Sequence, residues 1–401
     1  MGLLQVQGHH LFSEILLRAL KASTEYYYKD PFSFSFPFRH LRYFFRKQPW
    51  SWAAPAFIYK SCRRGHSTSL AASALQRTAT MASRLPGAAG FEEACREIHD
   101  ACSQPRCLGL LLAPRSPSER QQIRATYRAT FGEDLAGTLQ RVVVANEENE
   151  LCKLLYLWTL EPADRDAIIA QEAVDGGMTV AGYRVLIEVF TRRKQNQLFF
   201  TKQAYQARFR RNLEQDMVTE PAHPYQRLLV ALATSHKSHH DELSQHIAKC
   251  DARRLYDTKN SGAGSVVDEA VILEMFSKRS IPQLRLAFCS YKHIYGHDYS
   301  KALKTNGSGE FEESLKVVVK CIHTPSKYYS KLLQRSMQCT APDKRLVTRA
   351  ILGSDDVGIE EIKSVFKSSY GRNLADFIHE TLPESDYRDF LVAVARGSTT
   401  S

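Results

Sequence analysis

The sequence predicts an all-α protein made of four repeats, each of about five helices. Three observations carry that prediction. A nine-residue phrase recurs four times, apolar residues around each copy follow the helical period, and strand-type alternation is scarce. The phrase reads Tyr127-Arg-Ala-Thr-Phe-Gly-Glu-Asp-Leu135, then Tyr205-Gln-Ala-Arg-Phe-Arg-Arg-Asn-Leu213. It returns as Tyr291-Lys-His-Ile-Tyr-Gly-His-Asp-Tyr299 and as Phe366-Lys-Ser-Ser-Tyr-Gly-Arg-Asn-Leu374. The steps between copies are 78, 86 and 75 residues. Single-motif solenoids repeat every ~20–50 residues, so each unit here holds several helices.

Within a unit the elements follow in a fixed order. An apolar helix precedes the phrase, as in Val185–Phe190 and Val271–Phe276. The phrase itself ends a second helix. Ile123, Tyr127 and Phe131 stand four apart on one face, and Pro117 suits the first turn, where a missing N–H costs nothing. Gly132, Gly296 and Gly371 stop this helix because glycine enters the left-handed cap freely. The second copy has Arg210 there, which predicts a weaker cap. A polar link follows, then another apolar helix: Leu151–Leu157, Tyr225–Ala233, Phe311–Val319 and Tyr387–Val394. Proline marks the next break in Leu160-Glu-Pro and His323-Thr-Pro. The predicted units are 85–160, 161–248, 249–324 and 325–399.

Residues 1–80 differ from the rest. They carry 11 Lys/Arg against 3 acids, a net +8 of the chain's +11, and 15 of its 41 aromatic residues. A transit peptide fits this composition in part, and a basic-aromatic membrane arm is a further reading; a secretory signal lacks its compact apolar stretch, because Ser13, Glu14 and Arg18 interrupt Leu11–Leu20. The favoured reading is an extension outside the fold, with Met81 as the functional start; organelle targeting ranks behind it. The net charge suggests an anionic partner, membrane or nucleic acid. No apolar run reaches the 18 residues of a spanning helix. Nine scattered cysteines without a CxxC pair point to reduced thiols and a cytosolic setting.

On the four phrases, Leu157-Trp-Thr-Leu-Glu-Pro-Ala-Asp-Arg-Asp-Ala167, Thr191-Arg192 with Gln203-Ala-Tyr205, and Val319-Lys-Cys-Ile322 with the following Tyr328-Tyr329, the chain resembles the annexins, and among them the plant branch. The resemblance spans about 85–399 and all four repeats. It implies a slightly curved disc that docks peripherally on anionic phospholipid through calcium held in helix-connecting loops. It implies no enzyme. In the family's loop, Gly-x-Gly-Thr-Asp/Asn supplies bare carbonyls, and an acid about 40 residues later closes the site with hard oxygen ligands.

These loops have drifted. The first repeat reads Asp100-Ala-Cys-Ser-Gln104, and its closing position falls near Cys152. Glu148 or Glu150 substitutes only if an insertion is accommodated. The second reads Asp175-Gly-Gly-Met-Thr179, with neutral Gln226 opposite. The fourth has Ala341-Pro-Asp343, with Arg388 in place of the acid. The third keeps Gly262 and Gly264, has Val266 where the second loop glycine belongs, and places Glu312 44 residues after Asp268. Gly262, Gly264, Asp268 and Glu312 are therefore the candidate Ca2+ residues, at a weak or residual site.

Other motifs read as structural. Plant annexins are ascribed a peroxidase-like role through a first-repeat histidine, but the matching residue is Pro114. Asp355-Asp-Val-Gly358 matches a GTP-binding Asp-x-x-Gly, yet an Asp355 or Asp356 helix N-cap explains it better. His236, His239, His240, His246 and Cys250 read as a solvated linker. Arg208, Arg210 and Arg211, and Lys344 with Arg345, read as solvated faces or contacts for lipid headgroups. No Ser-His-Asp or Cys-His pairing stands out. The alternative function is a calcium-independent helical scaffold for cytoskeletal or other protein partners; nucleic-acid binding through the basic arm ranks below both.

Overall fold

A computed structural model describes residues 88–397 except 147, 235–242, 261–266, 304–308 and 339–341. Twenty helices lie among the described residues, in four runs of five. The first run is α1 Ala88–Ala101, α2 Pro105–Leu112, α3 Pro117–Phe131, α4 Leu135–Ala145 and α5 Glu150–Thr159. The second is α6 Pro162–Asp175, α7 Val180–Arg192, α8 Gln195–Phe209, α9 Leu213–Asp216 and α10 Pro224–Ala233. The third is α11 Gln245–Asn260, α12 Glu269–Lys278, α13 Ile281–Tyr295, α14 Tyr299–Ala302 and α15 Glu310–His323. The fourth is α16 Pro325–Met337, α17 Lys344–Val357, α18 Ile359–Tyr370, α19 Leu374–Thr381 and α20 Asp386–Arg396.

The recurring phrase closes the third helix of each run, as its spacing predicts. α3 begins with a capping box, in which Ser116 and Glu119 satisfy each other's backbone N–H. Tyr127, Tyr205, Tyr291 and Phe366 are buried at the first aromatic position. Gly132, Gly296 and Gly371 take the left-handed cap with φ of 74, 74 and 71°. Arg210 takes the same conformation at φ 57°, so the cap persists and the side chain bears its strain.

The second and fifth helices build the interfaces between repeats. α2, α5, α17 and α20 pack together, and so do α7, α10, α12 and α15. The first grouping brings the earliest described repeat against the last. Trp158 stands edge-on to Phe390 at 5.8 Å, and its indole N–H donates to the Leu112 carbonyl at 3.3 Å. The Arg120 guanidinium covers the same indole at 4.0 Å. The two groupings meet where α7 touches α17.

That meeting point is a buried cluster of charge. Arg193 grips Asp356 with two bonds of 2.7 and 3.0 Å and also reaches Asp166. Arg192 donates to Asp166 at 3.1 Å and to the Tyr329 hydroxyl at 3.0 Å. Arg165 pairs with Asp355 at 3.2 Å, and Arg120 pairs with the same carboxylate. Beside the cluster, Glu188 accepts from Tyr328 at 2.6 Å and pairs with Arg349 at 3.0 Å. Burial alone would raise the Asp356 carboxyl. Arg192, Arg165 and Arg193 outweigh it and hold that carboxyl below the usual carboxylate range.

The placement of Asp355 and Asp356 corrects the sequence reading of them as an N-cap. Both belong to the last turn of α17, and Gly358 at φ 99° starts α18. Their carboxylates bind arginines of other repeats instead of capping their own chain. The His246–Cys250 stretch also differs from a linker, because both residues lie on α11; His236, His239 and His240 lie outside the described residues. So does the whole extension 1–80.

Two outcomes follow from these features. Asp356→Asn leaves three buried arginines short of a counter-charge and is expected to cost about 3–5 kcal/mol in urea unfolding. Because the folded carboxyl titrates below the unfolded value of about 3.9, its contribution is present above that pH. It is lost as pH falls through the folded value, so parent and variant should converge in stability toward acid pH. Arg210→Gly should raise stability by roughly 0.5–1 kcal/mol by relieving a left-handed side chain. A lower urea midpoint for that variant would show that Arg210 has a compensating contact.

Candidate calcium loops

The structure fixes the register of the four candidate loops through helix caps. The loop residue ahead of the second helix is the N-cap in each repeat: Gln104, Thr179, Asp268 and Asp343. The closing residue is the third residue of the fifth helix in each repeat: Cys152, Gln226, Glu312 and Arg388. Only the third pair carries two acids.

The first pair has no carboxylate. Gln104 caps nothing with its side chain, Pro105 follows it, and Cys152 is 3% exposed with its thiol pushed up by burial. Glu150 sits two positions earlier on the same helix. Together with Glu148 it lines an open cavity of about 560 Å³ shared with Lys344, Asp386 and Tyr387 of the fourth repeat.

The second pair is locked by hydrogen bonds. Gln226 is buried, and its carbonyl oxygen accepts from Thr219 N at 3.0 Å, Thr219 Oγ1 at 2.7 Å and Tyr183 at 3.0 Å. Its amide donates back to the Thr219 carbonyl at 3.2 Å. Asp175 is engaged by Arg211 at 2.8 Å. In the fourth repeat, Asp343 caps α17 through two backbone N–H groups, while Arg388 brings a cation to the closing position. Arg388 lies 3.5 Å from Asp389, and Lys344 sits over the Tyr387 ring at 5.8 Å.

The third pair is different. Asp268 is exposed, and its Oδ1 accepts both cap bonds, from Ala270 N at 3.0 Å and Val271 N at 3.3 Å. Its other oxygen faces no such donor among the described residues. Glu312 is half-buried in the first turn of α15 and folds back over its N-cap. A Cβ on Gly309 would stand 2.8 Å from Glu312 Oε2, so glycine makes room for that carboxylate. Two of the neighbouring acids are neutralised, Glu269 by Arg227 at 2.6 Å and Glu313 by Lys316 at 2.7 Å. Asp268 and Glu312 have no such basic partner among the described residues. Gly262 and Gly264 lie outside them.

The basic residues singled out in sequence divide in two. Arg208 is held by Asp164 at 3.0 Å and Tyr156 at 3.3 Å, and Arg211 by Asp175 and Asp216 at 2.8 Å each. Those two serve the fold. Arg210 and Arg345 are exposed. Among the described residues no helix is long and apolar enough to cross a membrane.

The family model for annexins matches residues 251–318, the stretch holding Asp268 and Glu312. Annexin D7 of Arabidopsis thaliana is 31% identical over 288 residues, 71% of this chain and 87% of that protein. Annexin A13 of Homo sapiens is 30% identical over 284 residues, with the same shares. The solved structure of annexin III aligns with a TM-score of 0.65 at 25% identity, over 79% of this chain and 97% of that one. Calcium-bound annexin (Sm)1 aligns with a TM-score of 0.62 at 20% identity, over 77% and 92%, a likeness of fold. The all-α repeat fold expected from sequence is the fold of these neighbours.

Gln226→Glu tests the locked second loop. It sets a carboxylate oxygen against the Thr219 carbonyl and is expected to cost about 1–3 kcal/mol in calcium-free buffer. Unfolding at the parent's urea midpoint would show that the Gln226–Thr219 network does not hold this loop.

Proposed function

The chain belongs to the annexin family, and from that premise we propose that it binds anionic phospholipid surfaces peripherally, with a weak calcium dependence that rests on the third repeat. The observation that carries this reading is the pairing of an acid at the loop N-cap with an acid at the third residue of the fifth helix. Asp268 and Glu312 are the one pair of acids in register, and no base neutralises them among the described residues. Residues 85–160, 161–248, 249–324 and 325–399 are taken as the four repeats.

The donor set suits calcium, a hard cation that takes carboxylate and carbonyl oxygens. Asp268, Glu312 and the carbonyls of Gly262 and Gly264 would hold it, and the bound ion would supply positive charge to lipid phosphate. Asp268 already spends one oxygen on its helix cap, which leaves fewer ligands and supports weak affinity. In the other repeats a buried thiol, a hydrogen-bonded amide and a guanidinium occupy the closing position. Exposed Arg210 and Arg345 add calcium-independent attraction, at about 1 kcal/mol for each basic residue near an acidic surface. No catalytic role is assigned.

Sedimentation of the full chain with phosphatidylserine vesicles over a calcium titration tests this. Calcium is expected to increase binding only at high concentration, and Asp268→Ala with Glu312→Gln should remove that increment. Tight calcium-dependent binding that survives the double substitution would overturn the site. Failure to bind acidic vesicles with or without calcium would overturn the lipid role and favour the scaffold reading.

A further inference from the structure

The third repeat brings together three side chains that the lipid reading does not use. Cys289, midway along α13, is exposed. Its Sγ lies 3.9 Å from Nδ1 of His323. His323 is the last residue of α15, and its Nε2 lies 3.4 Å from Oδ1 of Asp298. Asp298 precedes α14 but does not spend its carboxylate on capping that helix. Burial would raise this carboxyl, but Lys292 at 3.2 Å and His323 outweigh it and hold it ionised. The imidazole is 10% exposed and is packed edge-on to Phe288 at 6.2 Å. The arrangement is an exposed thiol, a half-buried imidazole beside it and an anion behind the imidazole.

We propose that Cys289 is a reactive thiol and a site of oxidation by hydroperoxides, with His323 as its base and Asp298 as the residue that orients and charges the imidazole. The thiol proton passes to Nδ1 of His323. The ring that receives this proton lies against the Asp298 carboxylate and at the C-terminal end of α15, where the helix dipole is negative. Lys292 and Arg285, both on α13, are the opposing cations; Lys292 is spent on Asp298, and Arg285 donates to the Ile322 carbonyl at 2.8 Å. The thiolate attacks one peroxide oxygen, an S–O bond forms and the O–O bond breaks. The departing hydroxide (or alkoxide, from an organic hydroperoxide) takes the imidazolium proton and leaves as water (or alcohol). Sulfur is oxidised by two electrons to the sulfenic acid and the peroxide is reduced. Four other thiols, Cys95, Cys102, Cys152 and Cys321, are pushed up by burial and so disfavoured as thiolates.

The test is alkylation of the full chain by iodoacetamide near neutral pH, followed at each cysteine by peptide mass spectrometry. Cys289 should react about tenfold faster in the folded protein than in the same chain unfolded in guanidinium. A thiol that is merely exposed reacts no faster folded than unfolded, and that result overturns the proposal. His323→Gln should lower the folded rate at Cys289 to the unfolded value while leaving Cys107 unchanged, and Asp298→Asn should lower it part of the way. An unchanged Cys289 rate in a folded His323→Gln protein overturns the role of the base. The folded-to-unfolded comparison in the unsubstituted chain decides the matter even if both variants fail to fold. Dimedone trapping after brief hydrogen peroxide should mark Cys289 first; marking of other cysteines with Cys289 still reduced overturns the assignment of the oxidant.

Discussion

Four arginines and three aspartates, drawn from α3, α6, α7 and α17, occupy the place where the first, second and fourth repeats meet. Each repeat can bury its own apolar face locally, but a charge taken out of water needs its counter-charge at hydrogen-bond distance. Asp356 therefore specifies where Arg165, Arg192 and Arg193 of the second repeat must be, while Asp355 beside it holds Arg120 of the first. Tyr329 ties in the start of the fourth repeat through Arg192, and Gly353 lets the Tyr329 ring approach α17 to a distance no Cβ would permit. Hydrophobic packing between the second and fifth helices supplies area without direction. The ion cluster supplies the direction, because bidentate pairs such as Arg193–Asp356 tolerate little rotation.

With the repeats so placed, the candidate loops become a question of helix capping. The same two positions, an N-cap and the third residue of the fifth helix, recur four times, and each can serve the fold or a ligand. A carboxylate at the start of a helix meets free N–H groups and a favourable dipole, so Asp268 and Asp343 stabilise α12 and α17 whether or not a cation binds. Loss of the acid at the closing position costs the fold little, because Gln226 and Cys152 are absorbed into hydrogen bonding and packing. This is why the architecture persists while the loop chemistry diverges between repeats. The two acids of the third repeat, which no base neutralises among the described residues, are not accounted for by capping alone, since Glu312 follows a glycine N-cap that gives it space.

Much of this was legible in the residue order. The aromatic pair four residues apart and the glycine after it report a helix face and its left-handed end, both local properties, and the tertiary structure repeats them at Tyr127, Tyr291 and Phe366. The register of Cys152, Gln226, Glu312 and Arg388 was also readable, because each lies a fixed distance into an apolar helix. Asp355 and Asp356 were misread for a definite reason. Aspartate near a glycine and ahead of an apolar run has the local signature of an N-cap, but three arginines from distant repeats outbid the local bond. Arg208 and Arg211 were ambiguous in the same way, since sequence does not reveal that Asp164, Asp175 and Asp216 stand beside them.

By itself, then, the sequence determined the all-α class, the four-fold repetition, the family and the one loop pair with two acids. The class and the repetition rest on periodicity and spacing, where helix geometry converts sequence distance into spatial distance; the family and its loop pair were reached through the resemblance of whole motifs to the annexins. Only the tertiary structure decided which charges are spent on the fold, and that Cys289, Asp298 and His323 converge. Those contacts join residues up to 235 positions apart in the ion cluster and 34 in the thiol site. No period encodes such pairings; they exist because packed helices bring unrelated segments within ångströms of each other.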